Sequence, residues 1–260
     1  MAPITYALAV ENTEGCRDTA YFTLAALDDA CVWPGDTDTN KVVDHFDLLN
    51  IGLGYDSLGP LRPNASLLWE AQPGPDWLQQ TPGTGVNYKH IDTNGDGLVN
   101  ADDTLAITQN WGATHGLWAP DEEDEWTSHQ SDLLVNAPFY IEPDTLIPGQ
   151  AIELEVVLGE NGNPVEDLYG LAFSITYDTS VVEVGSADIL FDPSWLGLDE
   201  VDLIGIHKDF YPEGRMDVAM TRIDGMEISG EGQLATLFII VQDDVLLWEK
   251  ENGTESGSVA

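Results

Sequence analysis

Asp36, Asp38, Asn40, Asp44 and Asp47 stand at positions 1, 3, 5, 9 and 12 of a twelve-residue window. Asp92, Asn94, Asp96, Asn100 and Asp103 stand at the same positions of a second window, 56 residues further on. So many oxygen side chains at alternate positions repel one another unless a cation sits among them. Calcium is a hard cation that takes about six to eight oxygens at ~2.3–2.6 Å in a flexible shell. A loop that wraps one ion aims short Asp or Asn inward at positions 1, 3 and 5, because longer side chains overfill it. Position 7 gives its backbone carbonyl, so Val42 and Leu98 need no special side chain. Asp44 and Asn100 at position 9 suit contact through water, and position 12 closes the shell where a helix begins.

This register is that of an EF-hand-type loop. It predicts two Ca2+ sites, the first from Asp36, Asp38, Asn40, Val42, Asp44 and Asp47, the second from Asp92, Asn94, Asp96, Leu98, Asn100 and Asp103. Position 12 is Asp in both, where the usual residue is a bidentate Glu, so each following helix must sit closer. Position 6, which makes a sharp turn, is Gly97 in the second loop and Lys41 in the first. A side chain in a left-handed conformation costs roughly 1 kcal/mol, so the second site is expected to be the stronger. The windows also share Val at position 8 and then Asp-x-Leu-x-Ile: Asp47, Leu49 and Ile51 against Asp103, Leu105 and Ile107.

Across roughly residues 33–115 this repeat resembles dockerin domains, which carry two calcium loops, each followed by one helix. Compact dockerins place the loops much closer together. The excess is an insertion, residues 56–88, rich in Pro, Gly and Trp (Gly59-Pro-Leu-Arg-Pro63, Gln72-Pro-Gly-Pro75-Asp-Trp77). Such a segment forms neither a regular helix nor a central strand. It is expected to be an aromatic-pinned excursion over the calcium module, lying where a dockerin-style partner would bind.

From about residue 135 the apolar period becomes two: Phe139, Ile141; Ile152 to Leu158; Leu171 to Tyr177; Val182, Val184; Met216 to Met220; Leu234 to Ile240. Breaks fall at Pro143–Pro148, Gly159–Pro164, Asp178–Ser180, Pro212–Gly214 and Gly225–Gly232. Short alternating strands at this spacing predict an antiparallel β-sandwich. Pro148-Gly149-Gln-x-Ile-x-Leu-x-Val, Tyr169-Gly-Leu-Ala-Phe-Ser-Ile-Thr-Tyr177-Asp178 and Gly232-Gln-Leu-Ala-Thr-Leu-Phe-Ile-Ile-Val241 resemble cohesin domains, a jelly-roll relative of the immunoglobulin sandwich. The resemblance implies a further strand after Val241, yet the chain continues there with Leu246-Leu-Trp248 and a polar tail. Residues 4–10 and 19–26 read as a hairpin turning at Glu11–Gly15, and weakly resemble the last strands of an immunoglobulin-like domain of the polycystic-kidney-disease type.

The chain is therefore expected to be mainly β. Residues 1–31 are N-terminal strands (a partial Ig/PKD-like unit or donor strands). Residues 32–116 are the dockerin-like calcium module with its short helices and the 56–88 insertion. Residues 117–134 are an acidic linker containing Pro120-Asp-Glu-Glu-Asp-Glu125, residues 135–248 a cohesin/Ig-like sandwich, and residues 249–260 a polar tail. Strands at one end and a missing strand at the other leave two readings. Either both ends are cut from a longer polypeptide, or one copy's N-terminal strands complete the next copy's sheet, making a filament.

Eight Lys plus Arg against 47 Asp plus Glu leave a net charge of −39. That disfavours nucleic acid and anionic membrane as partners. Two calcium ions would offset only four of those charges, so the excess points either to a salty or calcium-rich habitat, where screening is strong, or to solubility. No run of about 18 apolar residues is long enough for a membrane span. Met1-Ala-Pro-Ile-Thr-Tyr lacks the basic and apolar regions of a signal peptide. Calcium loops and scarce Lys nevertheless suggest an extracellular or bacterial cell-surface protein, as a mature product or a fragment. Cys16 and Cys31 could pair in an oxidising compartment, although the expected strands put Cys16 near the turn and Cys31 past the far end of the second strand, a placement that disfavours a disulfide; no CxxC suggests zinc. His45, His90, His115, His129 and His207 show no HExxH spacing, and no GxSxG or P-loop is present, so no catalytic function is expected. The expected function is structural or protein-interacting, through a sandwich edge or the N-terminal strands. A carbohydrate-binding module is the alternative, with Trp195 and Tyr211 as candidate sugar-stacking rings and glycan as a possible partner.

Overall fold

The computed structural model describes residues 4–13, 15–24, 31–115, 137–142 and 147–243. The chain is mainly β, with a few short helices and several antiparallel sheets. The 117–134 linker, Trp118 and Trp126, His129, the 249–260 tail and the expected missing strand lie outside the described residues.

Two strands, β1 (Ile4–Glu11) and β2 (Arg17–Leu24), pair along their whole length. The turn between them bonds Gly15 N to Asn12 O. This is the expected hairpin, its second strand beginning two residues early. No disulfide joins Cys16, exposed beside that turn, to Cys31, which is buried. Cys31 falls in β3 (Cys31–Val32), which pairs with β4 (Gln72–Pro73). Cys31 is thus bonded to the loop module.

Helix α1 (Asp47–Gly54) and helix α2 (Thr104–Asn110) follow the two loops. Residues 56–88 contain no α-helix, as their Pro and Gly content requires, and only the two residues of β4 as strand. The insertion is held by its aromatics. Trp69 donates from Nε1 to Thr114 O at 3.2 Å, and Trp77 is buried over Gly59, where any Cβ would collide with the indole.

The C-terminal part contains β5 (Phe139–Ile141), β6 (Ala151–Leu158), β7 (Val165–Leu168), β8 (Gly170–Thr176), β9 (Asp188–Leu190), β10 (Leu203–Phe210), β11 (Arg215–Arg222), β12 (Ile228–Gly230) and β13 (Gly232–Ile240). One sheet has the order β10-β11-β8, another β5-β6-β13-β9, and β12 pairs with β7. Leu154, Val156 and Leu237 from the four-stranded sheet share one hydrophobic core with Leu171, Met216, Val218 and Met220 from the three-stranded sheet. Val182 and Val184 do not form the expected strand. Asp178 O accepts from both Val181 N and Val182 N, which makes a tight turn, and Val182 reaches the core through a single bridge to Val241. The expected break at Gly225–Gly232 contains β12, which pairs on an edge for only three residues.

Alternation along β11 suggests one buried face, yet all of Met216–Arg222 is buried. The even positions enter the core between the sheets, and the odd side chains meet the loop module. Ile204, Ile206 and Ala219, on the outer face of the three-stranded sheet, join Leu48, Ile51, Ile91, Val99 and Ile107 in a second core. The loop module is therefore seated on that sheet through α1. At ~25 cal/mol per Å2, burial of this kind stabilises by about 1.5–3 kcal/mol per large side chain.

Candidate metal centre

In each twelve-residue loop the side-chain oxygens hold the backbone, and several of these bonds recur in both. Asp36 Oδ2 accepts from Lys41 N at 3.2 Å, as Asp92 Oδ2 does from Gly97 N at 3.1 Å. Asp38 Oδ1 accepts from Asn40 N at 2.9 Å, as Asn94 Oδ1 does from Asp96 N at 2.8 Å. Asn40 and Asp96 each accept from the position-7 amides, those of Val42 and Leu98, at 2.8 and 2.9 Å. Asp44 and Asn100 accept from Phe46 N and Asp102 N at 2.8 and 2.6 Å. Asp47 Oδ2 and Asp103 Oδ2 reach back to Asp44 N and Asn100 N at 2.8 and 2.9 Å. Two windows of related sequence thus fold into two loops of related geometry.

The sequence reading missed a residue pair that this geometry uses. Thr37 and Thr93, at position 2, are fully buried. Each donates from Oγ1 to the backbone oxygen of its loop's closing aspartate, Asp47 or Asp103, at 2.6 Å. The signal was present as the repeated Asp-Thr at the head of both windows.

The chain joins the loops reciprocally. After α1, Asp56 N donates to Val99 O, Val99 N to Ser57 O, and Gly59 N to Gly97 O, at 2.9, 3.0 and 3.0 Å. After α2, Gly112 N donates to Val43 O, Val43 N to Ala113 O, and His115 N to Lys41 O, at 2.7, 3.0 and 3.2 Å. The segment after each helix therefore braces the other helix's loop, and the 56-residue period runs through the whole module.

The loops differ in strain and charge. Positions 4 and 6 are left-handed in both: Gly95 and Gly97 at φ 78° and 83°, Thr39 and Lys41 at 62° and 80°. The expected strain at Lys41 is present and is matched by a second strained residue, Thr39. Against this, Arg62 is buried beside the second loop, donating to Asp92 O and Thr93 O at 2.9 and 2.6 Å. Replacing Lys41 by Gly should relieve part of the strain and raise the melting temperature by a few degrees (about 1 kcal/mol). Gly97→Ala should lower it, since its Cβ would lie 2.8 Å from Gly59 O. Thermal melts of both variants check this, and opposite signs are the expected result.

Burial and mutual repulsion act on the carboxylates. Burial, then the charge of Asp38, pushes Asp36 up to about 8. Burial, then the charges of Asp38, Asp44 and Asp36, holds Asp47 well above its ordinary value. Burial pushes Asp103 up to about 7, and raises Asp92. One oxygen from each of Asp36, Asp38 and Asp47 lies within 4.8 Å of the others. Asp36 Oδ1 is buried with no hydrogen-bond partner. A buried carboxylate oxygen without a donor is costly unless a cation supplies the missing charge. All-oxygen donors without a thiolate suit a hard divalent cation.

The other candidate residues are placed differently. Trp195 is half-buried against the core between the sheets, and Tyr211, also half-buried, donates from Oη to Thr179 O at 3.0 Å. His45 is buried under the loop module, its Nδ1 3.9 Å from Asp217 of β11, while His90 is buried and pushed down to about 4 by burial. His207 lies 3.0 Å from Asp188.

No protein-family model matches the chain, and no curated protein matches it. Among solved structures, it is similar to a chain of a type II cohesin–X-dockerin complex from Acetivibrio cellulolyticus, an N-terminal interface mutant. That match has 17% identity and a TM-score of 0.32, and covers 41% of this chain and 71% of that one.

Proposed function

We propose that this chain is a non-catalytic, calcium-stabilised interaction protein of the extracellular space or bacterial cell surface. In this reading a dockerin-like pair of calcium loops forms a joint on the outer face of a cohesin-like sandwich. The observation that carries it is the set of side-chain-to-backbone bonds that recur in both loops, together with the orphaned buried oxygen of Asp36. Asp36, Asp38, Asn40, Asp44 and Asp47, with the Val42 carbonyl, hold the first ion. Asp92, Asn94, Asp96, Asn100 and Asp103, with the Leu98 carbonyl, hold the second. The ions supply positive charge where the fold has gathered carboxylates. The chain's own residues do the rest. Asp47 is both the closing residue of the first loop and the first residue of α1, so ordering that loop orders the helix seated on β11. The second site is the stronger, because glycines carry its left-handed turns. If the first proves stronger, the number of carboxylates, and not strain, sets the order.

A protein partner, or a second copy, is the class of ligand that fits. The hairpin exposes Leu8, Val10 and Tyr21, and edge strand β5 exposes Phe139 and Tyr140. Equilibrium dialysis against calcium tests the reading: two ions per chain are expected, falling to one in Asp47→Asn and in Asp103→Asn. A chain that retains no calcium at millimolar concentration would refute it.

The raised carboxylates give a pH dependence with a definite sign. A group whose folded pKa lies above its unfolded value binds more protons when folded, so stability falls as pH rises between the two. That window runs from about 4 to about 8 for Asp36 and from about 4 to about 7 for Asp103. The metal-free chain should therefore melt higher at pH 5 than at pH 8, and saturating calcium should close or reverse the difference. Melts at both pH values, with and without calcium, measure this.

A further inference from the structure

The 56-residue period fails at one informative place. Gly59 N and His115 N make equivalent bonds to position 6 of the facing loop. Gly59 has no side chain to offer the second loop. The His115 ring lies against the first: its Nε2 is 2.9 Å from Asp36 Oδ2. The ring is stacked on Trp33, with centroids 4.3 Å apart and planes 7° from parallel, and Trp69 flanks it at 5.8 Å. Trp69 is itself tied by Nε1 to Thr114 O, the residue before His115.

The two first-position aspartates are consequently held in different ways. Asp92 takes a backbone amide on each oxygen, Gly95 N on Oδ1 at 2.9 Å and Gly97 N on Oδ2 at 3.1 Å. Asp36 takes Lys41 N and the imidazole on Oδ2, and its Oδ1, buried, takes none. Once a cation ionises Asp36 its oxygens can only accept, so in that state Nε2 carries the hydrogen of this bond.

We propose that His115 is a positioning residue for the first loop: its Nε2–H fixes Asp36 through Oδ2 and leaves Oδ1 as the ion's ligand. This rests on the calcium reading above. Partners that orient a metal ligand are worth about ten- to a hundredfold in affinity, and here the effect falls on one loop alone, because the second has glycine at the equivalent place. His115 thus sets the first site's affinity independently of the second.

Calcium titration of the full chain by calorimetry, with the Lys41 and Gly97 amide resonances reporting each loop, tests this. His115→Phe keeps a ring for Trp33 to stack on but removes the N–H; His115→Gln restores a donor. The expected result is a first-loop affinity about ten- to a hundredfold weaker in His115→Phe, an unchanged second loop, and substantial recovery in His115→Gln. Unchanged first-loop affinity in His115→Phe overturns the proposal while leaving two-site calcium binding intact. Equal weakening in both variants, together with a lowered metal-free melting temperature, also overturns it, since the ring would then act only by packing. Wild-type protein that binds no calcium overturns this proposal and the calcium reading together.

Discussion

Stripping calcium with EDTA at pH 8 should lower the melting temperature by about 10–20 °C. An ion held at a hundred times its dissociation constant stabilises the folded state by about 2.7 kcal/mol, and two such sites by about 5 kcal/mol. For a chain of this size each kcal/mol moves the midpoint by roughly 2–4 °C. The effect should be larger at pH 8 than at pH 5, because protonation partly replaces the ion at Asp36 and Asp103 below their raised pKa values. It should also be felt beyond the loops. Leu48 and Ile51 of α1 share a core with Ile204, Ile206 and Ala219 of the sheet, so loosening the first loop uncovers the outer face of that sheet. Hydrogen exchange in EDTA should therefore rise along α1, and binding of a hydrophobic dye should increase. A melt that does not respond to EDTA at pH 8 would sink the calcium reading. Magnesium in place of calcium should restore only part of the shift, since its small octahedral shell dehydrates reluctantly and suits a flexible all-protein cage poorly.

Legibility in the sequence depended on which interactions are local. The loops could be read because many of their bonds span only a few residues: Asp38 to Asn40, Asn40 to Val42, Asp44 to Asp47. Spacing alone then dictates geometry, and the left-handed turn at Lys41 was legible because its twin in the second window is Gly97. The left-handed turn at Thr39 is legible in the same way from Gly95. Strands β6, β8, β11 and β13 could be read because each is seven to nine residues long and carries large apolar side chains at alternate positions of the sequence. Strands β9 and β12 are three residues long, too short for a period to show, and β10 interrupts its alternation with Gly205, His207 and Lys208. Val182 and Val184 imitate a strand because burial of Val182 in a turn looks the same, in sequence, as burial in a ladder. The seating of the loops on the sheet was not legible at all. It depends on Ala219 and Thr221, small residues on the side of β11 that alternation assigns to solvent, lying across from Gly52 more than a hundred and sixty positions earlier. His115 was seen only as a histidine without a metal spacing, because its partner Asp36 is 79 positions away.

Gly52→Leu should be the most damaging substitution outside the loops. A Cβ on Gly52 would lie 2.7 Å from the backbone oxygen of Arg222 and closer still to Thr221 Oγ1, which is fully buried. The side chain of Thr221 cannot swing clear, since α1 and the sheet enclose it, and the Arg222 carbonyl is part of the backbone. Overpacking of this kind costs about 1–3 kcal/mol, occasionally more, and a leucine in place of a missing Cβ belongs at the upper end. The better helix propensity of leucine returns at most about 1 kcal/mol. A net loss of about 2–3 kcal/mol corresponds to a midpoint lower by roughly 4–12 °C. The core between the two sheets does not include Gly52 or its neighbours on α1. Its amides, those of Leu154, Val218 and Leu237 among them, should keep their exchange protection while α1 loses its own. Calcium should still bind both loops but more weakly at the first, since Asp47 begins the displaced helix. Leu105→Ala, on the exposed face of α2, is the matched control and should change stability by less than about 0.5 kcal/mol. If Gly52→Leu melts with the wild type, α1 is not seated on β11, and the loops and the sheets are joined only by the chain between them.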